Sequence, residues 1–467
     1  VKKVYKRMTA VLFGLFIAYS LLSLGANGPF FDEGIYVTAG YRTLQGFGLS
    51  DRYLTWFAGS LTWPVMAAVS HSLAGIAGVR MLAALLSLGS MLFVYLTTKE
   101  LFEEKAAFYA CLCYALAGPF LTLSHMGVYD VPALLGMSVS VWGVVKLAKQ
   151  DHRIYLAPIA LGIAFAAVSK YPIALMTPVI LLLILVLRPN KWKLDWGISL
   201  FFLAAVGLFY LLPVRDQLVN LIDFLAKNRP TFGASRALVV NAQLYYAVPL
   251  ATLALFGAAI APNRKMSAVL LLGIAFWPIY HIVTNNRVSD VKHIVFGYML
   301  VAPLVGLFMA RLMSSHIVWR LIGIFGICAW AVFGVKTAYI MDRAWPGVEP
   351  VAEYLLENVQ PGDTLLLNNS WTYIMYLYTN GNMLTPWDAF DVYRLVQGDD
   401  PGDMCSYRWF VEEVGTFRWP DEAMRELTAC GSFEVVFEYR DDTIFGLADD
   451  TSYTLYGVTT RVWHNTR

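Results

Sequence analysis

Long apolar stretches dominate the first 340 residues, and they decide what the chain can be. A helix needs about 20 mostly apolar residues to cross about 30 Å of hydrocarbon. Eleven such stretches are read, at 8–24, 76–98, 106–122, 131–148, 154–169, 171–187, 196–214, 243–261, 267–284, 294–310 and 317–340. The two stretches between 154 and 187 meet at Ser169–Pro172 and predict a tight helical hairpin. Apolar residues make up 58% of the chain and charged residues only 15%, which excludes both a disordered protein and an ordinary soluble one.

Charge divides the chain near Met341. Residues 341–467 hold 21 of the 33 acidic side chains and 8 of the 35 basic ones, all Arg, for a net −13; residues 1–340 carry +15. The expected architecture is therefore an α-helical polytopic membrane protein of about eleven spans over 1–340. A first external loop of interfacial helices occupies 25–75, and an acidic, soluble α/β domain follows over 341–467. In that domain Val351–Val359 reads as a helix and Thr364–Leu367 as a strand. A second helix is expected near Pro420–Cys430, with strands at Phe433–Tyr439 and Thr454–Trp463.

Orientation follows from the distribution of Lys and Arg in short connections. One set of span ends carries 16 basic residues, among them Lys2, Lys3, Lys6, Arg7, Arg188, Lys191 and Lys193; the opposite set carries nine, spread over longer loops. The N-terminus is thus expected in the cytoplasm and the C-terminal domain outside, in the plasma membrane. The first stretch has the basic start and apolar centre of a signal peptide and is read as an uncleaved anchor. Cys111, Cys113 and Cys328 fall inside spans as small buried apolar residues. Cys405 and Cys430 lie in the external domain, where a disulfide is chemically allowed but not fixed by spacing.

Only twelve acids lie in the membrane half. Glu100, Glu103, Glu104, Asp151 and Asp195 sit at cytoplasmic ends among basic residues and read as solvated charges. Two external positions stand out. Asp32–Glu33 opens an amphipathic stretch, Ile35–Leu44, that has Ile35, Ala39 and Leu44 on one side and Arg42 on another. A second such stretch, Leu54–Val69, carries Trp56, Phe57 and Trp63 at headgroup level. Asp130 stands where the third span meets the fourth, beside His125 and Tyr129, and an ionisable group at that depth points to function. Both acids are equally placed to cap helices.

External bases complete the set. Lys170 interrupts the apolar hairpin; Arg287, Lys292 and His293 cluster before the tenth span; Arg80 lies near the outer end of the second. Such groups suit a lipid-linked phosphate, Arg as a bidentate partner and Lys as a point charge, or else anchor the chain at the interface. No metal-ligand spacing is present among His71, His125, His281 and His293.

These features together resemble the GT-C glycosyltransferases, the group that includes dolichyl-phosphate-mannose protein mannosyltransferases and the lipid A aminoarabinose transferase. The matching residues are Phe31-Asp32-Glu33-Gly34-Ile35-Tyr36 after the first span, Gly78-Val79-Arg80 opening the second and Asp130 after the third. Ser169-Lys170 in the hairpin and Lys292-His293 before a Pro303-containing span complete the match. The aminoarabinose transferases carry a Lys-Pro-Pro element where this chain, from Trp56 to Pro64, has no Lys.

The resemblance implies transfer of a sugar from a polyprenyl-monophosphate carrier to an acceptor hydroxyl on a glycan, lipid or protein, at the outer membrane face and with inversion. It implies Asp32 as general base with Glu33 beside it, Asp130 as a second acid, and Lys170, Arg287, Lys292, His293 and Arg80 toward the donor phosphate. No cofactor is required on this reading, although an acidic pair is able to hold a divalent cation. Membrane lipids are partners and nucleic acid is not. The competing class is a lipid or sugar transporter or flippase; the long external loops and the few ionisable groups at mid-span depth speak against it.

Overall fold

The computed structural model describes residues 2–47, 54, 57, 59–219, 236–285, 289–367, 370–391, 400–414, 421–449 and 452–466. It is mostly helical, with a small mixed sheet near the C-terminus. Each of the eleven apolar stretches coincides with helix. Eight helices are long and apolar enough to cross a membrane on their own: Lys3–Leu22, Thr62–Leu101, Asp130–Gln150, Trp192–Tyr210, Arg236–Ile260, Arg264–Thr284, Asp290–Leu312 and Ile317–Met341. The other three stretches are built from shorter pieces. Glu104–Ala115 and Gly118–Leu123 cover the first, Leu156–Ser169 the second, and the 3₁₀ turn Tyr171–Met176 with Thr177–Leu187 the third. The break at Lys170–Pro172 is present as a helix end followed by a 3₁₀ turn, but the expected hairpin is not: Leu156–Ser169 packs against Asp130–Gln150 rather than against Thr177–Leu187.

The chain separates into two compact units. One comprises 1–24, 54–63 and 80–339; the other comprises 25–53, 64–79 and 340–467. In the helical unit, Asp290–Leu312 is buried along nearly its whole length. Small residues let neighbours close on it and on each other: a Cβ on Gly257 would lie 2.1 Å from Leu304 O, and one on Gly306 would lie 2.3 Å from Ala106 O. The 130–150 and 156–169 helices approach in the same way, Gly136 against Gly162. In lipid, where apolar surface alone does not drive association, such close backbone approach is what holds helices together.

Two corrections concern charges in this unit. Asp195 is not solvated: it is buried, and its Oδ2 accepts from Arg188 Nε at 2.5 Å, while Arg188 NH1 donates to Asp151 Oδ1 and Leu147 O. Glu104 is likewise buried, next to Tyr95 and Lys99. A buried carboxylate must be paired to be tolerated, and sequence position near basic residues supplies the partner without revealing the burial. Cys328, read as buried, is exposed on its helix. In a spanning helix that is an apolar side chain turned to lipid.

The second unit holds a five-stranded sheet, β1 (Leu365–Leu367), β2 (Ala389–Asp391), β3 (Trp409–Val414), β4 (Phe433–Asp449) and β5 (Ser452–Asn465), in the order β2-β1-β3-β5-β4. β1 is parallel to β2 and β3, while β5 runs antiparallel to β3 and β4. Alternation along β1 sends Leu365 and Leu367 to one face and Leu366 to the other. The first face packs on the helices Glu349–Asn358 and Ser370–Thr379 through Val351, Leu355, Tyr373 and Leu377. The second packs Phe390, Met404 and Phe410 against Leu427 of the helix Asp421–Ala429. Cys405 and Cys430 are joined in a disulfide on that side, with Cα atoms 5.6 Å apart. Tyr373 and Trp409, suited by type to sugar stacking, are instead buried in the core.

Part of the first external loop belongs to this second unit, through Phe31–Leu44 and residues Pro64–Val79 of the helix Thr62–Leu101. The long helix changes direction at Ala74–Gly75, where Gly75 has φ +57° and ψ −153°. That conformation needs glycine. The bend separates the amphipathic stretch expected at 54–69 from the span expected at 76–98. Arg42, placed by its polarity on a solvated side of the first amphipathic helix, is buried with its guanidinium 3.8 Å from the Phe47 ring centre, and Leu44 is exposed.

Candidate functional site

In the helical unit, three connections bring titratable groups together. Asp130 begins the helix Asp130–Gln150, and the preceding turn is fixed by Trp63 Nε1 donating to Gly127 O at 3.1 Å. Lys170 ends the helix Leu156–Ser169 in an extended conformation, φ −145° and ψ 98°. The two meet: Lys170 Nζ donates to Asp130 Oδ1 at 2.5 Å, with side chains 1% and 0% exposed. The ammonium also lies 4.6 Å from the centre of the Tyr129 ring, within cation–π range. Asp130 Oδ2 is buried and has no hydrogen-bond partner among the described residues.

A second group abuts the first. His293, one turn into Asp290–Leu312, shares a hydrogen bond with His281 of Arg264–Thr284, Nδ1 to Nε2 at 3.0 Å. Its ring lies 4.1 Å from that of Trp277, and Trp277 Nε1 donates to Met176 Sδ in the 3₁₀ turn that follows Lys170. Lys170 and Lys292 both act electrostatically on His293. The Nε2 atom of His293 is buried without a hydrogen-bond partner among the described residues. The structure thus joins Asp130, Lys170, Lys292 and His293, expected from sequence, with Trp277 and His281, which were not singled out. Their signal was the i, i+4 spacing of a Trp and a His on one face of an apolar helix.

Arg80 is buried in the same unit, where its NH1 donates to Leu24 O at 2.6 Å at the end of the first span. Arg287 and Trp56 lie outside the described residues. Asp32 and Glu33 are found in the other unit, in the first turn of Phe31–Leu44. Glu33 is fully buried and its Oε2 accepts the Phe30 N–H at 2.7 Å, which closes the start of the helix. Asp32, its neighbour, is half-buried. Among the described residues no three His, Cys, Asp or Glu side chains group as a metal site.

Comparison with known proteins adds two findings. Residues 61–215 match the family model of the dolichyl-phosphate-mannose-protein mannosyltransferases. The whole chain superposes on the ArnT of Cupriavidus metallidurans bound to undecaprenyl phosphate, with a TM-score of 0.61 at 16% identity over 97% of both chains. The chain has the GT-C fold. Eight helices long and apolar enough to cross a membrane make it an integral membrane protein.

Other GT-C structures agree. The mycobacterial arabinofuranosyltransferase AftD matches at a TM-score of 0.58 and 15% identity, covering 99% of this chain and 40% of that one. The oligosaccharyltransferase AglB of Archaeoglobus fulgidus, in complex with an inhibitory peptide and a dolichol-phosphate, matches at 0.54 and 11%, covering 87% and 69%. No curated protein matches the sequence significantly. Of the candidate residues, Arg80, Asp130 and Lys170 lie within the stretch matched by the family model; Asp32, Glu33, Arg287, Lys292 and His293 lie outside it.

Proposed function

We propose that the chain transfers a sugar from a polyprenyl-monophosphate carrier to an acceptor hydroxyl at the outer face of the membrane, with inversion at the anomeric carbon. The observation that carries this reading is the buried Asp130–Lys170 pair, in which Asp130 Oδ2 has no hydrogen-bond partner among the described residues. A buried cation needs an anion. Asp130 supplies that anion in the absence of substrate, and the phosphate of the carrier is the chemical partner that such a cation stabilises as the sugar leaves. Lys292 adds to that positive character, and His293, Arg287 and Arg80 are further candidates for phosphate.

Asp32 takes the acceptor's proton late in the transfer. A carboxylate is a competent base there because the hydroxyl becomes acidic only as its bond to the sugar forms. Glu33 is the base's neighbour and fixes its helix. Glycans, lipids and proteins all supply suitable hydroxyls. The Cys405–Cys430 disulfide supports an oxidising compartment for the C-terminal domain, hence an N-terminus in the cytoplasm across the membrane.

The test is turnover of purified protein with a panel of polyprenyl-phosphate sugars, reading release of the free polyprenyl phosphate. Wild type should release it, Asp32→Asn should fall by two or more orders of magnitude, on the scale of a lost general base, and Lys170→Met should lose both turnover and donor affinity. Equal rates for wild type and Asp32→Asn would remove Asp32 from the role and leave Asp130 as the candidate. Silence across the whole panel would return the chain to the transporter class.

A further inference from the structure

We infer that Trp371 positions the Asp32 helix, so that the C-terminal segment contributes to transfer through that helix; this rests on the proposed role of Asp32. Residue 371 touches both neighbours of the acidic pair. Its indole meets the Phe31 ring edge-on, with centroids 6.2 Å apart and planes at 87°. Its carbonyl oxygen lies 2.5 Å from where a Cβ on Gly34 would stand, with Trp371 C at 2.7 Å and Thr372 N at 2.9 Å. These are backbone atoms and cannot swing away, so position 34 admits no side chain at this separation. One residue therefore braces the helix on either side of Asp32 and Glu33.

The rest of the contact fixes the helix along its length. Tyr378, two turns beyond Trp371 on the helix Ser370–Thr379, donates its hydroxyl to Gln45 Oε1 at the far end of Phe31–Leu44. The contacts at residues 371 and 378 thus follow the same order as those at 31–34 and 45, so the two helices run side by side in the same direction. At the entry, Asn27 Nδ2 donates to Trp345 O at 2.7 Å and Trp345 Nε1 donates back to Gly28 O at 3.0 Å, with Phe30 packed on the same indole. A candidate base held at both ends and on both flanks is preorganised. Catalysis depends steeply on such placement, an error of about 1 Å costing up to about 100-fold.

The experiment compares Gly34→Ala, Trp371→Ala and Trp371→Phe in the full-length protein, by steady-state kinetics and by hydrogen exchange of the 31–44 amides. Gly34→Ala and Trp371→Ala should lower kcat by about 10- to 100-fold and leave the donor KM within about two-fold, since substrate binding is not what they disturb. Trp371→Phe keeps the backbone carbonyl and an aromatic edge and should restore most of the rate. In the two damaging variants the 31–44 amides should exchange faster, with those of 290–312 unchanged. Wild-type kcat in a stably folded Trp371→Ala overturns the inference even if Gly34→Ala fails to fold, and so does unaltered protection of 31–44. Should wild type itself turn over no donor, the transfer reading fails, while the exchange result still decides whether residue 371 holds the helix.

Discussion

The Lys170 ammonium and the Asp130 carboxylate stand 2.5 Å apart with almost no solvent reaching either. Removing one partner of such a pair strands a buried charge and costs about 3–5 kcal/mol, whereas replacing both with apolar groups of similar volume is close to neutral. Lys170→Met and Asp130→Leu should each lower stability by that amount, and the double variant should be more stable than either single one. Thermal unfolding in detergent measures all three. Additive losses would show that the two side chains do not act as a pair.

Arg188 makes a parallel case away from the proposed chemistry. It is buried and serves Asp195, Asp151 and Leu147 O at once. Lys191 meets only the exposed side of Asp151. Arg188→Met should cost about 3–5 kcal/mol by leaving the buried Asp195 unpaired, and Lys191→Met no more than about 1 kcal/mol. Unfolding midpoints of the two variants should differ accordingly; equal midpoints would deny Arg188 its structural role.

The Cys405–Cys430 disulfide closes a loop of 25 residues. A cross-link of that span stabilises by about 3 kcal/mol through the unfolded chain. Reductant should lower the melting temperature of wild type and leave that of Cys405→Ser/Cys430→Ser unchanged, at the reduced wild-type value. Thiol alkylation with mass readout before and after reduction provides an independent count of the bonded pair.

Asp441 gives the C-terminal segment a pH dependence. Burial alone would raise its pKa, but the Thr443 hydroxyl and the backbone N–H groups of Gly347 and Thr443 donate to its carboxylate and hold it below the ordinary value. A carboxyl whose pKa is lower folded than unfolded stabilises above the unfolded value, about 4, and loses that contribution as pH falls through the folded value. Wild type should therefore exceed Asp441→Asn in stability at pH 7, and the gap should close below about pH 4. A gap that stays constant with pH would mean the ionised carboxylate is not what Gly347 and Thr443 recognise.

The spans were legible because length and hydropathy are local properties. Asp130 and Lys170 were each visible as ionisable groups in apolar surroundings. Their pairing was not, since 40 residues separate them and only the packing of Asp130–Gln150 against Leu156–Ser169 joins them. The same holds for Asp195, whose basic neighbours suggested solvent when one of them was its buried partner. In the C-terminal segment β1 and the helices at 349–358 and 421–429 could be read. β2, three residues long, is too short to show alternation, and the aromatic run Trp371–Tyr378 carries no clear helical period because both sides of that helix are covered, one by the sheet core and one by Phe31–Leu44.

The bend at Gly75 has a separate consequence. No atom of the described residues lies within 4 Å of where a Cβ would stand at that position, so among them nothing but the dihedral angle itself forbids a larger residue there. Gly59, at φ +81° and with Val214 Cγ1 2.3 Å from where a Cβ would stand, confounds two causes, because a substitution there both strains the backbone and collides with a neighbour. At position 75 the causes come apart: Gly75→Ala would report the energy of turning this ribbon without any contribution from crowding, and a D-alanine introduced by chemical synthesis or ligation would be accommodated there.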